Sequence, residues 1–559
     1  MTRELQGIEI TLDGVGHTLS DRRLRVPIYQ RSYAWEDKQV IDLLQDIFSS
    51  LRSGGQEYFI GSIVISANNN ENEVVDGQQR LATISVIIAA IRDYFFENSD
   101  RPRADGINNK YLAVVDIRSQ ETISKLKLNG NDHTFFYQGI ISLPDCREIR
   151  PSRESHYRLK RAYELAKTHI KNFLSNSNNP TDALMDLLEF IENNLKVIIV
   201  LVPNHANAFT IFETLNDRGL ELAISDLLKN YLFGRSEDRI NEVQANWTEM
   251  YALLENTENE LLIVTFIRHY WSSIYGLTRE RVLYDEIKRK ITSKQRTVDL
   301  SFNLSKFSKI YIAIIDASNS FWNDFSDETK VHIENLNLFG MVQVRPLLLA
   351  IISKFNRPET ERAIKLLVSS SVRFLIHGGL GGGALETQYS QTAKEINEGL
   401  ITTATNLVDR MRTVIPNDEQ FKESFKTANV SKPSLARYYL MVLEKCYNGS
   451  LKPELVPNSD TTAVNLEHVL PKNPDSSWGL TEEKVKVLHN RLGNLALLSS
   501  KLNSEIGNAS FELKKTSYQN SSFNLTKSIY DLDEWNEEKI LARQEQLSNL
   551  AIQAWSINI

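Results

Sequence analysis

The order of elements written between residues 58 and 91 limits the fold of this chain more than any other feature. An apolar run, Ile60-Gly61-Ser62-Ile63-Val64-Ile65, gives way to a polar stretch over 68–72 and then to Glu73-Val74-Val75, which predicts a β-hairpin. Asp76-Gly77-Gln78-Gln79-Arg80 follows at once, and beyond it Leu81, Ile84, Val86, Ile87, Ile88 and Ile91 recur with largely helical spacing. A strand therefore feeds a helix through a glycine-containing turn. That junction has two chemical readings. In the first, backbone amides left free at the helix N-terminus make a site for phosphate, Arg80 adds a planar charged fork, and Asp76 caps the helix or holds a cation. In the second, Asp76 is a plain N-cap with Gln79 three residues on, a capping box that needs no ligand.

The chain has 559 residues, too many for one ordinary core, so roughly two to four domains are expected. With 42% hydrophobic and 24% charged residues the composition is that of a soluble globular protein. Only Cys146 and Cys446 are present, so neither a disulfide framework nor a cysteine-based zinc site can be built, and a reducing cytoplasm fits. No apolar signal core follows Met1-Thr2-Arg3-Glu4-Leu5 and no stretch has the length and apolarity to span a bilayer, so no membrane partner is expected. The net charge of -7 gives no bulk electrostatic sign of a nucleic-acid binder. Local patches must then carry any phosphate contact, and two stand out: Arg147, Arg150, Arg153, Arg158, Lys160 and Arg161, and Arg279, Arg281, Lys288, Arg289 and Lys290. Glu148, Glu154, Glu280 and Glu286 lie among them, so both also read as solvated helix faces.

Upstream of the hairpin, Val26-Pro27-Ile28-Tyr29-Gln30-Arg31-Ser32-Tyr33-Ala34-Trp35 sets two phosphate-capable side chains among aromatics, before an amphipathic helix expected over 37–51. Downstream come Ala208-Phe209-Thr210-Ile211-Phe212-Glu213-Thr214-Leu215-Asn216-Asp217-Arg218-Gly219 and then Asp226-Leu227-Leu228-Lys229-Asn230. Together with Tyr58-Phe59-Ile60-Gly61 and residues 76–80, these blocks resemble the DUF262 family, a ParB-like fold. In ParB-like proteins a Gln-Pro-Arg element and a Gly-Glu-Arg-Arg element line a nucleotide pocket. Gln30-Arg31 and Gly77-Gln78-Gln79-Arg80 stand where those elements would. The resemblance thus implies that Gln30, Arg31, Asp76, Gly77, Gln78, Gln79 and Arg80 bind a nucleoside triphosphate of unspecified base, with hydrolysis coupled to nuclease control. Asn216 and Arg218, with Gly219, are expected in a polar loop closing over the nucleotide or a DNA backbone, since arginine pairs bidentately with phosphate and glycine permits close approach. Asp226 and Lys229 read either as part of that chemistry or as an i, i+3 surface pair of little energetic weight.

Residues 236–450 read as successive amphipathic helices, for instance over 258–274, 331–356 and 434–447, with no fixed-period repeat. Gly378-Gly379-Leu380-Gly381-Gly382-Gly383 lacks the Lys-Ser/Thr of a P-loop and reads as a loop or hinge, with His377 a loop or core histidine beside it. Residues 451–462 form a proline-containing polar linker. A final helix is expected over 537–554, packing on the last domain through Ile540, Leu541, Leu547, Leu550 and Ala551.

The last hundred residues hold the sharpest chemical signal. Asn465-Leu466-Glu467-His468-Val469-Leu470-Pro471 precedes Arg491-Leu492-Gly493-Asn494-Leu495-Ala496-Leu497-Leu498, then Asn503, then Phe511-Glu512-Leu513-Lys514 leading to Tyr518. Hydrolysing a phosphodiester needs a base for the attacking water and a cation beside the scissile phosphate. His468 near a strand end suits the base, because an imidazole titrates near neutral pH. Asn503 on the following helix offers a neutral oxygen, which a hard cation such as magnesium prefers. Asn494 is expected to hold the loop that orients His468. Glu467 points to the other side of a regular strand from His468, so ligating a metal there requires a twist or bulge. His489 reads as a helix end outside the site. A plainer reading makes His468 a strand cap and the asparagines turn formers.

Residues 464–518 resemble the DUF1524 branch of the HNH (His-Me finger) nucleases, whose pattern runs Glu/Asp-His-x-x-Pro, Gly-Asn-Leu-x-Leu-Leu, Asn, Phe-x-x-Lys-x-x-x-Tyr. The resemblance implies catalytic roles for His468, Asn494, Glu467 and Lys514, and metal ligation by Glu467 and Asn503. The last triad position is asparagine rather than histidine, which favours Mg2+ (or Mn2+) over zinc.

The fold class expected is therefore α+β and multidomain: a ParB-like α/β nucleotide-binding domain over 1–235, a mainly α-helical connector over 236–450, and a ββα-metal nuclease domain over 451–559. Proteins joining DUF262 to DUF1524 resemble GmrSD-type, modification-dependent (type IV) restriction enzymes and related phosphorothioation-sensing defence nucleases. The implied partners are DNA, modified or from phage, and a nucleoside triphosphate, with a homo-oligomer open. A different class also stands: a nucleotide-responsive DNA-binding protein whose finger is inactive.

Overall fold

A computed structural model of the chain describes residues 8–68, 71–116, 120–147, 149–175, 177–203, 224–255, 261–378, 382–448, 464–474 and 478–558. The expected loop with Asn216 and Arg218, and the linker over 451–462, lie outside these residues. Two compact units emerge: residues 1–265 with 280–308, and residues 266–279 with 309–559. Residues 236–450, expected as one connector, fall partly in each unit.

In the first unit, β1 (Glu9–Gly14), β2 (Leu24–Arg25), β3 (Tyr58–Asn68), β4 (Glu71–Asp76), β5 (Leu126–Lys127) and β6 (Leu195–Val202) form one mixed sheet in the order β1-β6-β3-β4-β2-β5. The predicted hairpin is present, with β3 and β4 antiparallel. Tyr58 of β3 pairs in parallel with Leu195 of β6. That pairing places a strand from far down the chain beside the hairpin, and the apolar run Val197, Ile199, Val200 and Val202 is buried there.

The expected amphipathic helix is α1 (Asp37–Arg52), closed at its start by a capping box between Glu36 and Gln39. The helix fed by β4 is α2 (Gln78–Glu97), and it is buried nearly all round, including Leu81, Ile84, Val86, Ile87, Ile88 and Ile91. A helix with no solvated face belongs in the middle of a domain. It packs against α3 (Glu154–Leu174), and each fully buried Leu or Ile contributes about 1.5–3 kcal/mol. Beyond the sheet follow α4 (Ile224–Ser236) and α5 (Ile240–Glu255), with Phe233 of α4 edge-on to Trp247 of α5.

Among its described residues the second unit is helical apart from one hairpin. The single helix expected over 331–356 is two helices, Asp327–Phe339 and Arg345–Lys354, because the chain turns at Gly340 and restarts with Pro346 in the first turn. Proline fits there since first-turn amides need no helical partner. The elements that matter for the site are α6 (Asp418–Thr427), α7 (Pro433–Asn448), β7 (Val464–His468), α8 (Glu482–Leu488), β8 (Leu495–Ser499), α9 (Ser500–Ile506), α10 (Phe511–Gln519) and α11 (Glu537–Ala554). Helix α11 is the predicted final helix and packs on α6 and α7. Its buried face carries Ile540, Arg543, Gln544, Leu547 and Ala551, whereas Leu541, expected inside, is 40% exposed. No helix among the described residues is long and apolar enough to cross a membrane.

Candidate functional site

The C-terminal motif folds as a strand, a second strand and a helix. β7 and β8 pair antiparallel with His468 opposite Leu495 and Glu467 opposite Ala496, and α9 packs on both strands. Asn494 is fully buried where the chain enters β8. Its Oδ1 accepts from the backbone N–H of Leu470 at 2.8 Å and from Trp535 Nε1 at 2.9 Å, while its Nδ2 donates to the carbonyls of Leu470 and His489 at 3.0 Å each. One amide side chain thus clamps the segment that leaves His468 to the turn that carries His489. Gly493 beside it has no room for a side chain, since a Cβ would sit 2.2 Å from the Ile540 carbonyl oxygen. Arg543 of the same helix is buried and donates to the carbonyls of Gly493 and Leu495 at 2.7 and 2.8 Å.

His468 is half-buried, and its ring lies on that of His489 with centroids 4.9 Å apart and planes 12° apart. Burial first, and His489 second, push its imidazole down to about 4, against a hydrogen bond with Asn490 that pulls the other way. His468 is therefore neutral near pH 7 and able to accept a proton. His489 is a helix end, as the sequence suggests, being the C-cap of α8, but it does not lie outside the site.

Glu467 departs from the expectation. The β7–β8 register is unbroken, so the bulge needed to turn Glu467 toward the His468 side is absent. Its Oε1 instead accepts from Lys514 Nζ at 2.7 Å and from Tyr518 OH at 3.1 Å, with all three residues buried. Lys514 is fully buried and spends its ammonium on Glu467, on the carbonyl of His468 at 3.0 Å and on that of Val469 at 3.2 Å. In this arrangement Lys514 holds the His468 backbone from inside the core, and Glu467 is its ion-pair partner.

Asn503 sits on α9, and its Oδ1 is buried with no hydrogen-bond partner among the described residues. A buried acceptor left unpaired is costly, so it marks a place where a donor or cation belongs. No group of three His, Cys, Asp or Glu side chains that could cage a metal occurs among the described residues. Any ion at Asn503 would therefore complete its shell with water and substrate oxygens, as magnesium commonly does.

The first unit gathers the other predicted residues. The N-cap of α2 is Gly77, at φ +91°, and not Asp76, which ends β4 and has its carboxyl hydrogen-bonded to the Gly77 backbone; the glycine itself offers no side-chain cap. The capping-box reading is thereby corrected. Left-handed backbone at this turn favours glycine, and a Cβ would also sit 2.7 Å from Ile63. Gln79 is turned to other work: its Oε1 accepts from the Ala34 N–H at 2.9 Å and its Nε2 donates to the Ser32 carbonyl at 3.2 Å. Gln78 Nε2 donates to the Arg31 carbonyl at 3.4 Å. The 30–34 segment is thus tied along the start of α2. Gln30 is buried and donates to the carbonyl of Val75 at 2.8 Å, and Arg80 donates to that of Ser62 at 2.9 Å. Burial pushes the Asp76 carboxyl up, with Arg80 opposing. A shallow, half-open recess lies between Arg31, Tyr33, Gln78, Gln79, Asn129 and Asp132. The space it encloses is about that of a single water, far below the roughly 300–1,000 Å³ of a typical small-molecule site.

Asp226 and Lys229 are not a solvated surface pair: Lys229 is 2% exposed and bonds to both Asp226 and Gln30. Of the first basic patch, Arg147 pairs with Asp93 at 2.5 Å and Arg161 with Asp37 at 2.9 Å, which supports the plain reading of those arginines.

Residues 15–233 match the family model described as the GmrSD restriction endonuclease N-terminal domain, and residues 415–550 match that of the GmrSD restriction endonucleases C-terminal domain. One match covers each site, together they span more than half of the chain, and with the fold they define a multidomain α+β restriction nuclease whose partner is DNA. The chain belongs to the GmrSD restriction endonuclease family. No curated protein matched it.

Proposed function

We propose that the chain is a metal-dependent DNA endonuclease of the HNH type, controlled by a nucleoside triphosphate at the first unit and directed at modified or phage DNA. The observation that carries the nuclease chemistry is the pairing of a neutral, clamped imidazole at His468 with an orphaned buried oxygen at Asn503 on one hairpin-plus-helix.

His468 takes the proton of the attacking water. A base already neutral at working pH needs no prior deprotonation, although its low basicity makes correct placement matter more. The stacked His489, the Asn490 hydrogen bond, the Asn494 clamp and the three bonds of Lys514 hold it in place. Asn503 Oδ1 would hold magnesium or manganese. Such an ion, when bound, offsets charge developing on the phosphate and the leaving oxygen.

At the first unit, the glycine-capped start of α2, with Arg31 and Arg80, would serve as the anion site for a polyphosphate. The test is plasmid cleavage with magnesium and each triphosphate, on unmodified, glucosylated and phosphorothioated DNA. Cutting that requires the metal and responds to one nucleotide is expected. Intact plasmid under every condition, with DNA binding retained, would sink the enzyme reading in favour of a binding protein.

A further inference from the structure

Helix α4 buries a lysine along its inward run from Leu228 to Phe233. A buried ammonium is expensive unless its protons find acceptors, and an apolar side chain would fill the same space without that cost. Lys229 Nζ donates to Gln30 Oε1 at 2.9 Å and to Asp226 Oδ1 at 3.1 Å. Gln30 passes the constraint on: its Nε2 donates to the carbonyl of Val75, the residue before Asp76, and its own carbonyl accepts from Asn129 Nδ2 at 2.9 Å. One lysine therefore braces the 30–34 segment and, through it, the end of β4 that leads into the Asp76-Gly77 turn.

The other oxygen of Asp226 faces Arg31. Arg31 Nε lies 3.6 Å from Asp226 Oδ2, longer than a good hydrogen bond, and the arginine side chain is 36% exposed against 13% for the aspartate. Burial alone would raise the Asp226 carboxyl, yet Lys229 and Arg31 together hold it below the usual carboxylate range. Asp226 is thus an anion with two cations, one buried and firmly bonded, the other loose and half in water. A phosphate arriving at the start of α2 competes for the loose one, and Lys229 keeps Asp226 compensated when Arg31 leaves.

We propose that Asp226 and Lys229 are a positioning pair for the polyphosphate of a nucleotide: Lys229 sets Gln30 and the Asp76-Gly77 turn, and Asp226 parks Arg31 until phosphate draws it away. This deepens the nucleotide reading above and rests on it. It also gives the two residues opposite signs, which a merely structural ion pair would not have.

Binding of ATP, GTP, CTP, UTP and inorganic triphosphate to the full chain, by calorimetry and by ligand-induced melting shift, tests the pair. Asp226→Asn frees Arg31 and is expected to tighten binding by roughly threefold, because a larger fraction of the protein is competent before ligand arrives. Lys229→Met releases Gln30 and is expected to weaken it by about tenfold or more. Both variants weakening in step with a lowered melting temperature overturns the proposal. Where Lys229→Met does not fold, the Asp226→Asn, Lys229→Met double variant replaces it, since neutralising both members of a buried pair is tolerated better than removing one. Equal affinity of that double variant and Asp226→Asn overturns the role of Lys229. If wild type responds to none of the five probes, the nucleotide reading itself falls. If it binds, Arg80→Ala abolishes binding and the Asp226 and Lys229 variants bind as wild type, only the positioning pair falls.

Discussion

The finger of the second unit and the anion cluster of the first are built in opposite ways. In the finger the reacting groups stand on a local scaffold: Lys514 and Glu467 are 47 positions apart, and the clamp from Asn494 spans 24. Among the described residues of the finger, the buried polar side-chain atoms without a partner are Trp478 Nε1, Arg491 Nε and Asn503 Oδ1, and of these Asn503 Oδ1 alone is an acceptor. In the first unit Lys229 reaches Gln30 across 199 positions, the N-cap of α2 is a glycine with no side chain of its own, and Arg31 is loosely held. A closed local site suits a fixed chemical step. An open site assembled from distant segments suits sensing, because occupancy there can change how those segments fit together.

The largest test of this contrast is a pair of substitutions. His468→Ala should lower DNA cleavage by about 10²- to 10⁴-fold, the usual worth of a positioned base, while leaving nucleotide binding intact. Arg80→Ala should abolish nucleotide binding and leave the melting of the finger unchanged. Loss of nucleotide turnover in the His468 variant would mean that the two sites are not separate.

Next in size is the buried ion pair. Lys514→Met leaves the Glu467 carboxylate in the core without its cation and should cost about 3–5 kcal/mol by chemical denaturation of the second unit. Lys514→Met combined with Glu467→Gln should recover most of that loss. If the single variant is as stable as wild type but cannot cut, Lys514 touches the substrate and its assignment to the scaffold is wrong.

Asn503→Ala should reduce magnesium-supported cleavage on the order of 10- to 100-fold, a common effect of disturbing the groups around an ion. Because Oδ1 makes no bond among the described residues, melting should barely change. A variant with unchanged magnesium dependence would remove Asn503 from the metal.

The smallest effect concerns pH. With His468 held down to about 4, the acid limb of cleavage should fall well below the 6.5 or so of an ordinary imidazole. His489→Leu removes the second-largest cause of that depression and should move the limb upward by less than about one pH unit. The same depression acts on the fold. The unfolded chain takes up the proton first, so this group makes stability fall as pH drops from about 6.5 to about 4. An acid limb near 6.5 in wild type would show that His468 is not the limiting base.

The sequence by itself determined what could be written in short range. The hairpin over 58–76, the helix behind it, the Glu-His to Asn order of the finger and the final helix were all legible, because hydrophobic period and turn chemistry act over a few residues. Asn494 was expected to hold the His468 loop, with a turn former as the alternative, and its hydrogen bonds to Leu470 and to the His489 carbonyl hold that loop. Only the tertiary structure decided which way the charges face. It set Glu467 and Lys514 into the core as each other's partner, laid His489 on His468, and buried Lys229 against Gln30. Each of those outcomes depends on which element packs over a given side chain. The free energy of a charge is governed by the neighbours and the water that packing leaves it, and a linear order of residues does not specify them.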